Sequence, residues 1–303
     1  MEWYAWIVLL WVVYILVQLG RLAFGDADLS LLWKETFGKK PAVLKGQVVW
    51  ITGASSGIGE HLAYELAQAG CRLVLSARRE EELERVKKQC LLRGSIKEED
   101  VLVLPLDMLR CDTHKPAVEH VVNYFKQIDV LVNNAGRTQR GETIRTDVDV
   151  QREILELNVL GPISLTTAVL PRMVEQQRGH LVVVSSLASK MGLPMSATYC
   201  ASKAAVNRWF ESVCVEHTTD HIDVTLILPG PVFSDLFEAA FTEQAGRIHG
   251  QPAKPTDKRM ATARCAELAA VAIANRVSEA WVAQQPYLAM FYLAQYMPDI
   301  SRW

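Results

Sequence analysis

Tyr199 and Lys203 stand four residues apart in the run Tyr199-Cys200-Ala201-Ser202-Lys203. On a helix that spacing puts both side chains on one face. A free phenol, with a pKa of about 10, is a poor base at neutral pH. A neighbouring ammonium favours the phenolate and brings that value down. The pair therefore predicts a tyrosine tuned for general acid–base work, with Lys203 as the tuner. Ser186 follows a β-branched run upstream of Tyr199 and can offer its hydroxyl to the same substrate oxygen. Asn158, in Leu157-Asn158-Val159, can hold a water for return of the proton. A Tyr-x3-Lys pair alone is common in cores and on surfaces. The four residues gain meaning from the turn that precedes them.

That turn is Thr52-Gly53-Ala54-Ser55-Ser56-Gly57-Ile58-Gly59, between a strand pattern and a helix pattern. Glycines there let the chain turn tightly and come close to a pyrophosphate, and the helix N-terminus offers free N–H groups to it. Gly53, Ser55, Ser56, Gly57, Ile58 and Gly59 are thus candidate contacts to a dinucleotide. An NAD-selective site wants an acid after the second strand. Ala77 stands there, followed by Arg78 and Arg79, which suit the 2′-phosphate of NADP(H). NADP(H) is therefore expected over NAD(H). Asp107 and Met108 end the third strand, where an acid can accept from an adenine amino group, and Asn134, Ala135 and Gly136 follow the fourth.

These residues must be held by alternating strands and helices. Strands are expected at 47–52, 72–76, 101–106, within 129–132, and at 180–185, 222–228 and 280–283. Helices are expected at 57–69, 79–93, about 150–176 and 197–216. Continuous apolar strands alternating with helices predict an α/β fold, a doubly wound parallel sheet of about seven strands. Ligands of such sheets bind beyond the carboxyl ends of the strands, which is where the candidate residues fall. Phe233, Leu236, Phe237, Ala240 and Phe241 recur at helical spacing, and Phe233 and Phe237 are the expected cover for an apolar substrate.

Composition excludes other classes. In 303 residues, Lys plus Arg is 32 and Asp plus Glu is 34, so no basic excess points to nucleic acid. A hydrophobic share of 50% is too high for a disordered chain. The six cysteines form no C-x-x-C pair and read as buried thiols. His217 and His221 have i,i+4 spacing but no evident third ligand, so no metal site is expected.

Residues 3–19 carry one amide, Gln18, among apolar and aromatic side chains. Glu2 in place of a basic leader, and no cleavage site after the run, argue against a removed signal peptide. A membrane anchor over 1–22 is the reading that fits, followed by a linker over 23–45. Arg21, Lys34, Lys39 and Lys40 weigh toward a cytosolic globular part, and no N-x-[ST] sequon demands the lumen. These signals leave the membrane face open. An apolar extension at 286–303 is expected to be a helix against the membrane, a partner subunit or the core.

Taken together, TGASSGIG at 52–59, NNAG at 133–136, Asn158, Ser186, YCASK at 199–203 and PGPVFS at 229–234 resemble the short-chain dehydrogenase/reductase family over about 46–285. The resemblance implies a Rossmann-type domain and a nicotinamide cofactor. It also implies a catalytic tetrad of Asn158, Ser186, Tyr199 and Lys203, with Lys203 also on the nicotinamide ribose and Pro229, Val232 and Ser234 beside the nicotinamide. DADLSLLW at 26–33, LSARREEELERVK at 75–87 and QYMP at 295–298 resemble the member 7 group of that family, also called retinal short-chain reductases. That likeness implies the endoplasmic reticulum, NADP(H), and a lipophilic carbonyl or alcohol substrate such as a steroid or retinoid. It also implies a homodimer through the two long helices. A catalytically silent nucleotide-binding sensor or scaffold at a membrane is the alternative, which an intact tetrad speaks against.

Overall fold

The computed structural model describes residues 3–254 and 256–301, apart from the side chains at 19, 21, 22 and 301. Seven strands form one parallel sheet in the order β3-β2-β1-β4-β5-β6-β7. They are β1 (Val48–Thr52), β2 (Arg72–Ser76), β3 (Val101–Val103), β4 (Val130–Asn133), β5 (Gly179–Val184), β6 (Ile222–Pro229) and β7 (Glu279–Val282). The chain winds outward from β1 to β3 and then returns to β4 on the other side of β1. This is the doubly wound, Rossmann-type arrangement, and its switch point lies between β1 and β4.

Both faces of the sheet are covered, which explains why the strands read as unbroken apolar runs. Every residue of β1 is buried, and its side chains alternate between two cores. Val49 and Ile51 pack with Leu62, Leu66 and Ile273, on the side of α3 (Gly57–Gln68) and α9 (Thr262–Ala274). Val48 and Trp50 pack with Val121, Val169 and Phe210. Those come from α5 (His114–Phe125), α7 (Gly161–Glu175) and α8 (Ala197–Glu216). Trp50 also donates its indole N–H to Ser76 Oγ at 2.9 Å, tying β1 to β2.

Some boundaries differ from expectation for physical reasons. β3 stops at Val103, although Leu104 N and Leu106 N still donate to Leu75 O and Ala77 O at 2.9 Å; Pro105 between them faces the open edge of the sheet, where no donor is needed. The expected helix at 150–176 is α6 (Val148–Leu155) and α7 joined by a wide π turn, Glu156–Leu160. Pro162 cannot donate to the carbonyl of Asn158, and Gly161 N–H reaches back to Glu156 O instead. The segment 231–254 forms turns and isolated bridges instead of the helix its spacing suggested. Phe241 is pinned by a bridge to Gln139 and packs on Val150 and Ile154.

The expected linker at 23–45 is part of the folded domain. It holds α2 (Leu29–Phe37), with Leu31 fully buried, and Ala27 forms an antiparallel bridge to Val282 of β7. The Asp28 carboxylate is buried and accepts from Leu31 N at 2.9 Å and Trp281 N at 2.6 Å. Arg264 on α9 pairs with both Asp26 and Glu35. Ahead of this strap, α1 (Trp3–Phe24) exposes its large apolar side chains, Trp3 at 74% and Phe24 at 93%. Its apolar stretch, Trp3–Gln18, is short against the roughly 20 residues of a spanning helix. Residues 148–175 are also long and apolar enough to span, but Val150, Ile154, Leu165, Val169 and Met173 of that stretch are core residues. Met1, Glu2, Arg302, Trp303 and the Arg21 side chain lie outside the described residues.

Candidate active site

The carboxyl ends of β1 and β4 are stitched together side by side. Thr52 Oγ1 accepts from Asn134 N at 3.1 Å and Ala135 N at 3.2 Å, and Asn134 Nδ2 donates to Thr52 O and Gly53 O at 2.9 and 3.1 Å. Gly53 has φ +64°, a left-handed conformation that glycine adopts freely. A Cβ on Gly59 would lie 2.4 Å from Asn134 Nδ2 and 2.5 Å from Gly53 O, so the first turn of α3 can seat on the loop only without a side chain. Ser56, at the N-cap of α3, makes no side-chain capping bond. The N–H groups of that first turn therefore face the cleft with the positive end of the helix dipole.

Above these strand ends lies a cleft of about 860 Å³. The glycine turn lines one part of it, with Gly53, Ser55, Ser56, Gly57 and Ile58. Arg78, Arg79, Asp107 and Met108 line its edge, and Asn134, Ala135 and Gly136 its floor. Arg79 Nη2 donates to Ser55 Oγ at 3.3 Å, while Arg78 has no ion pair with a carboxylate among the described residues. Asp107 Oδ1 accepts from Leu109 N at 3.1 Å, so this acid also shapes its own turn. An uncapped helix N-terminus, a turn that admits no Cβ, and two arginines at the end of β2 fit a phosphorylated dinucleotide. Gly53 to Ile58 would hold its pyrophosphate, and Pro229, Val232 and Ser234, which also line the cleft, would border the nicotinamide.

At the middle of the cleft stand Ser186, Tyr199 and Lys203. Tyr199 is 8% exposed. Burial pushes its phenol up, while the Ser186 hydroxyl and the Arg140 charge pull it down. Ser186, two residues past the end of β5, accepts from Ala188 N at 3.1 Å and donates to Pro229 O at 3.4 Å. Lys203 is buried; its Nζ donates to Val184 O at 3.1 Å and lies 6.0 Å from the centroid of the Tyr199 ring. Burial lowers its own pKa to about 8. Arg140, one loop away, adds a second cation near Tyr199 beside Lys203.

Three sequence-selected residues do not line the cleft. Gly59 acts by close packing, as above. Asn158 is 1% exposed, and its amide is fully engaged inside the protein. Oδ1 accepts from Arg137 N and Nδ2 donates to Arg137 O, both at 2.9 Å, and Nδ2 also donates to Ser202 Oγ at 3.0 Å. Its side chain positions the loop after β4. Phe233 is not among the lining residues; its N–H donates to Met260 O at 3.0 Å, next to the bridge of Val232 with Met260. Phe237 does line the cleft, and Leu236 joins it.

Sequence reasoning missed Arg137, Arg140, Leu193 and Arg259, together with Tyr287, Met290 and Phe291 of α10 (Tyr287–Tyr296), all of which line the cleft. Arginines at three and six residues after Asn134 were a readable cue, since they follow the end of a central strand. Nothing in the local pattern of 287–291 marks it. Its place at the site follows from the docking of Leu288 and Phe291 into the core.

Comparison with known proteins agrees with this geometry. Residues 47–245 match the short chain dehydrogenase family. The chain is 44% identical over 306 residues to the human protein called dehydrogenase/reductase SDR family member 7, covering 98% of this chain and 90% of that one. It is 35% identical over 209 residues to mouse dehydrogenase/reductase SDR family member 7B, covering 69% and 65%. Among solved structures, an alcohol dehydrogenase from the archaeon Thermococcus sibiricus, complexed with 5-hydroxy-NADP, superposes with a TM-score of 0.69 at 25% identity, covering 80% of this chain and 97% of that one. A short-chain dehydrogenase from Streptomyces avermitilis gives 0.70 at 28%, covering 85% and 96%. The chain belongs to the short-chain dehydrogenase/reductase family and is an oxidoreductase acting on CH–OH and C=O groups.

Proposed function

We propose that this oxidoreductase uses NADP(H), accepting NAD(H) less well, and acts on the carbonyl/alcohol pair of a lipophilic substrate such as a steroid, a retinoid or another ketone or aldehyde. One observation carries the reading. The hydroxyls of Ser186 and Tyr199 sit at the junction between a nucleotide-sized, glycine-lined half of the cleft and an apolar half lined by Leu193, Leu236, Phe237, Met290 and Phe291. A nicotinamide cofactor bound in the first half supplies or accepts the hydride. Tyr199 gives its phenolic proton to the carbonyl oxygen in reduction and takes it back in oxidation. Ser186 donates to the same oxygen as negative charge develops on it. Lys203 stands behind Tyr199 as a buried amine able to change protonation near neutral pH, because burial holds its pKa near 8. Arg78 and Arg79 favour a 2′-phosphate, and a related enzyme was solved with an NADP derivative.

The exposed apolar surface of α1 supports association with a membrane, and the resemblance to member 7 proteins supports the endoplasmic reticulum. A homodimer through α7 and α8 belongs to the same reading. The test is turnover by the purified full chain with NADPH and with NADH over ketones, quinones and retinal, beside Tyr199→Phe. NADPH-preferring turnover that falls by about a thousandfold in the variant, with NADPH still bound, is expected. Cofactor binding without turnover of any compound would instead favour a silent sensor.

A further inference from the structure

Charged side chains join the apolar lining of the substrate half: Arg140, Lys258 and Arg259 against Asp235 and Asp257, with both arginines set against one ring. Arg140 Cζ lies 5.2 Å and Arg259 Cζ 4.9 Å from the centroid of Phe237. Arg140 is half-buried; its Nη1 donates to Gln139 O at 2.9 Å and to Ser196 Oγ, both uncharged. Among the described residues it has no ion pair with a carboxylate, and Arg259 has only Asp257, Nε to Oδ2 at 3.2 Å. Two like charges thus share one aromatic wall, and the half-exposed Asp257 pairs with only one of them. Burial, with a smaller contribution from Arg259, holds Arg140 below its ordinary value.

These arginines are separate from those of the nucleotide half. Arg79 bonds to Ser55 of the glycine turn and Arg137 Cζ lies 4.9 Å from the centroid of Phe241, whereas Arg140 and Arg259 both lie over Phe237. A guanidinium with free donors beside the reacting tyrosine matches a carboxylate, which it can bind through two parallel hydrogen bonds.

We infer that Arg140 and Arg259 select substrates that carry an anionic group near the reacting centre: lipophilic oxo acids and the matching hydroxy acids, with the apolar remainder against Leu193, Leu236 and Met290. This rests on the oxidoreductase reading above and narrows its substrate class.

The experiment compares 4-oxo-4-phenylbutanoate and 5-oxo-5-phenylpentanoate with their methyl esters, using the full chain and NADPH. The acids are expected to exceed their esters in kcat/KM by about tenfold or more, mainly through KM. Arg140→Gln and Arg259→Gln are expected to collapse that ratio toward one, and Arg140→Lys to restore part of it. Calorimetry of the same acids on the NADP-loaded protein should show the same order of binding. Ester turnover equal to or above acid turnover in the parent protein overturns the inference and leaves the oxidoreductase reading standing. An Arg140→Gln variant that loses NADPH affinity as steeply as acid affinity also overturns it, by assigning the cation to the cofactor. Failure of every acid, ester and neutral carbonyl compound overturns the reading on which it rests.

Discussion

The side-chain amide of Asn158 holds both backbone groups of Arg137, accepting from its N–H and donating to its carbonyl at 2.9 Å each. The same Nδ2 reaches Ser202 Oγ, which donates to Tyr199 O at 2.7 Å. One buried amide therefore fixes the loop after β4 against the helix that carries the reacting phenol. The π turn that presents Asn158 exists because Pro162 breaks the ladder there.

Asn158→Ala removes these bonds and leaves the Arg137 peptide groups without their partner. A loss of about 2–4 kcal/mol in urea unfolding is expected, with a fall in kcat. Asn158→Asp keeps the acceptor but loses the donor, and should fall between the two. Parent-like stability in Asn158→Ala would sink this account of the loop.

Gly59→Ala places a Cβ within 2.5 Å of a backbone oxygen at the glycine turn. The expected cost is about 1–3 kcal/mol, together with weaker NADPH binding by fluorescence titration. Gly192→Ala, where no atom lies within 4 Å of the added carbon, is the matched control and should change stability little.

Arg78→Ala combined with Arg79→Ala should lower the ratio of kcat/KM for NADPH over NADH by about tenfold or more. An unchanged ratio would remove the arginines from cofactor choice. Here Ala77 matters too, since no acid stands ready to take a free 2′-hydroxyl.

Lys203 has its folded-state pKa lowered to about 8 by burial, below the unfolded value of about 10.4. Between these values the unfolded chain binds the extra proton and the folded chain does not. Stability contributed by this site therefore rises with pH from about 8 to about 10.4, and the full penalty applies below 8. Urea unfolding at pH 7.5, 8.5 and 9.5 should show Lys203→Met losing stability relative to the parent as pH rises. Parallel curves for the two proteins would contradict the burial of a titrating amine.

The elements around the chemistry were legible because they are set by local pattern. The apolar run of β1 with its glycine turn, the end of β5 just ahead of Ser186 and the helix opening at Ala197 need only burial on both faces and backbone freedom at glycine. The long helix expected at 150–176 was interrupted where Pro162 removed a donor. The helical spacing of Phe233 to Phe241 misled because bridges to Gln139 and Met260, distant in sequence, captured that segment.

Sequence by itself thus determined the doubly wound sheet, the nucleotide turn and the chemical identity of the Ser186, Tyr199 and Lys203 group, since each lies within one strand–turn–helix unit. Only the tertiary structure decided that Asn158 braces a loop, that Arg140 and Tyr199 line one cleft, that Phe233 stays out of that cleft, and that α10 and the 23–45 strap belong to the domain. Those relationships join segments far apart in the chain. Packing and hydrogen-bond satisfaction across the folded interior set them, and no local periodicity encodes that.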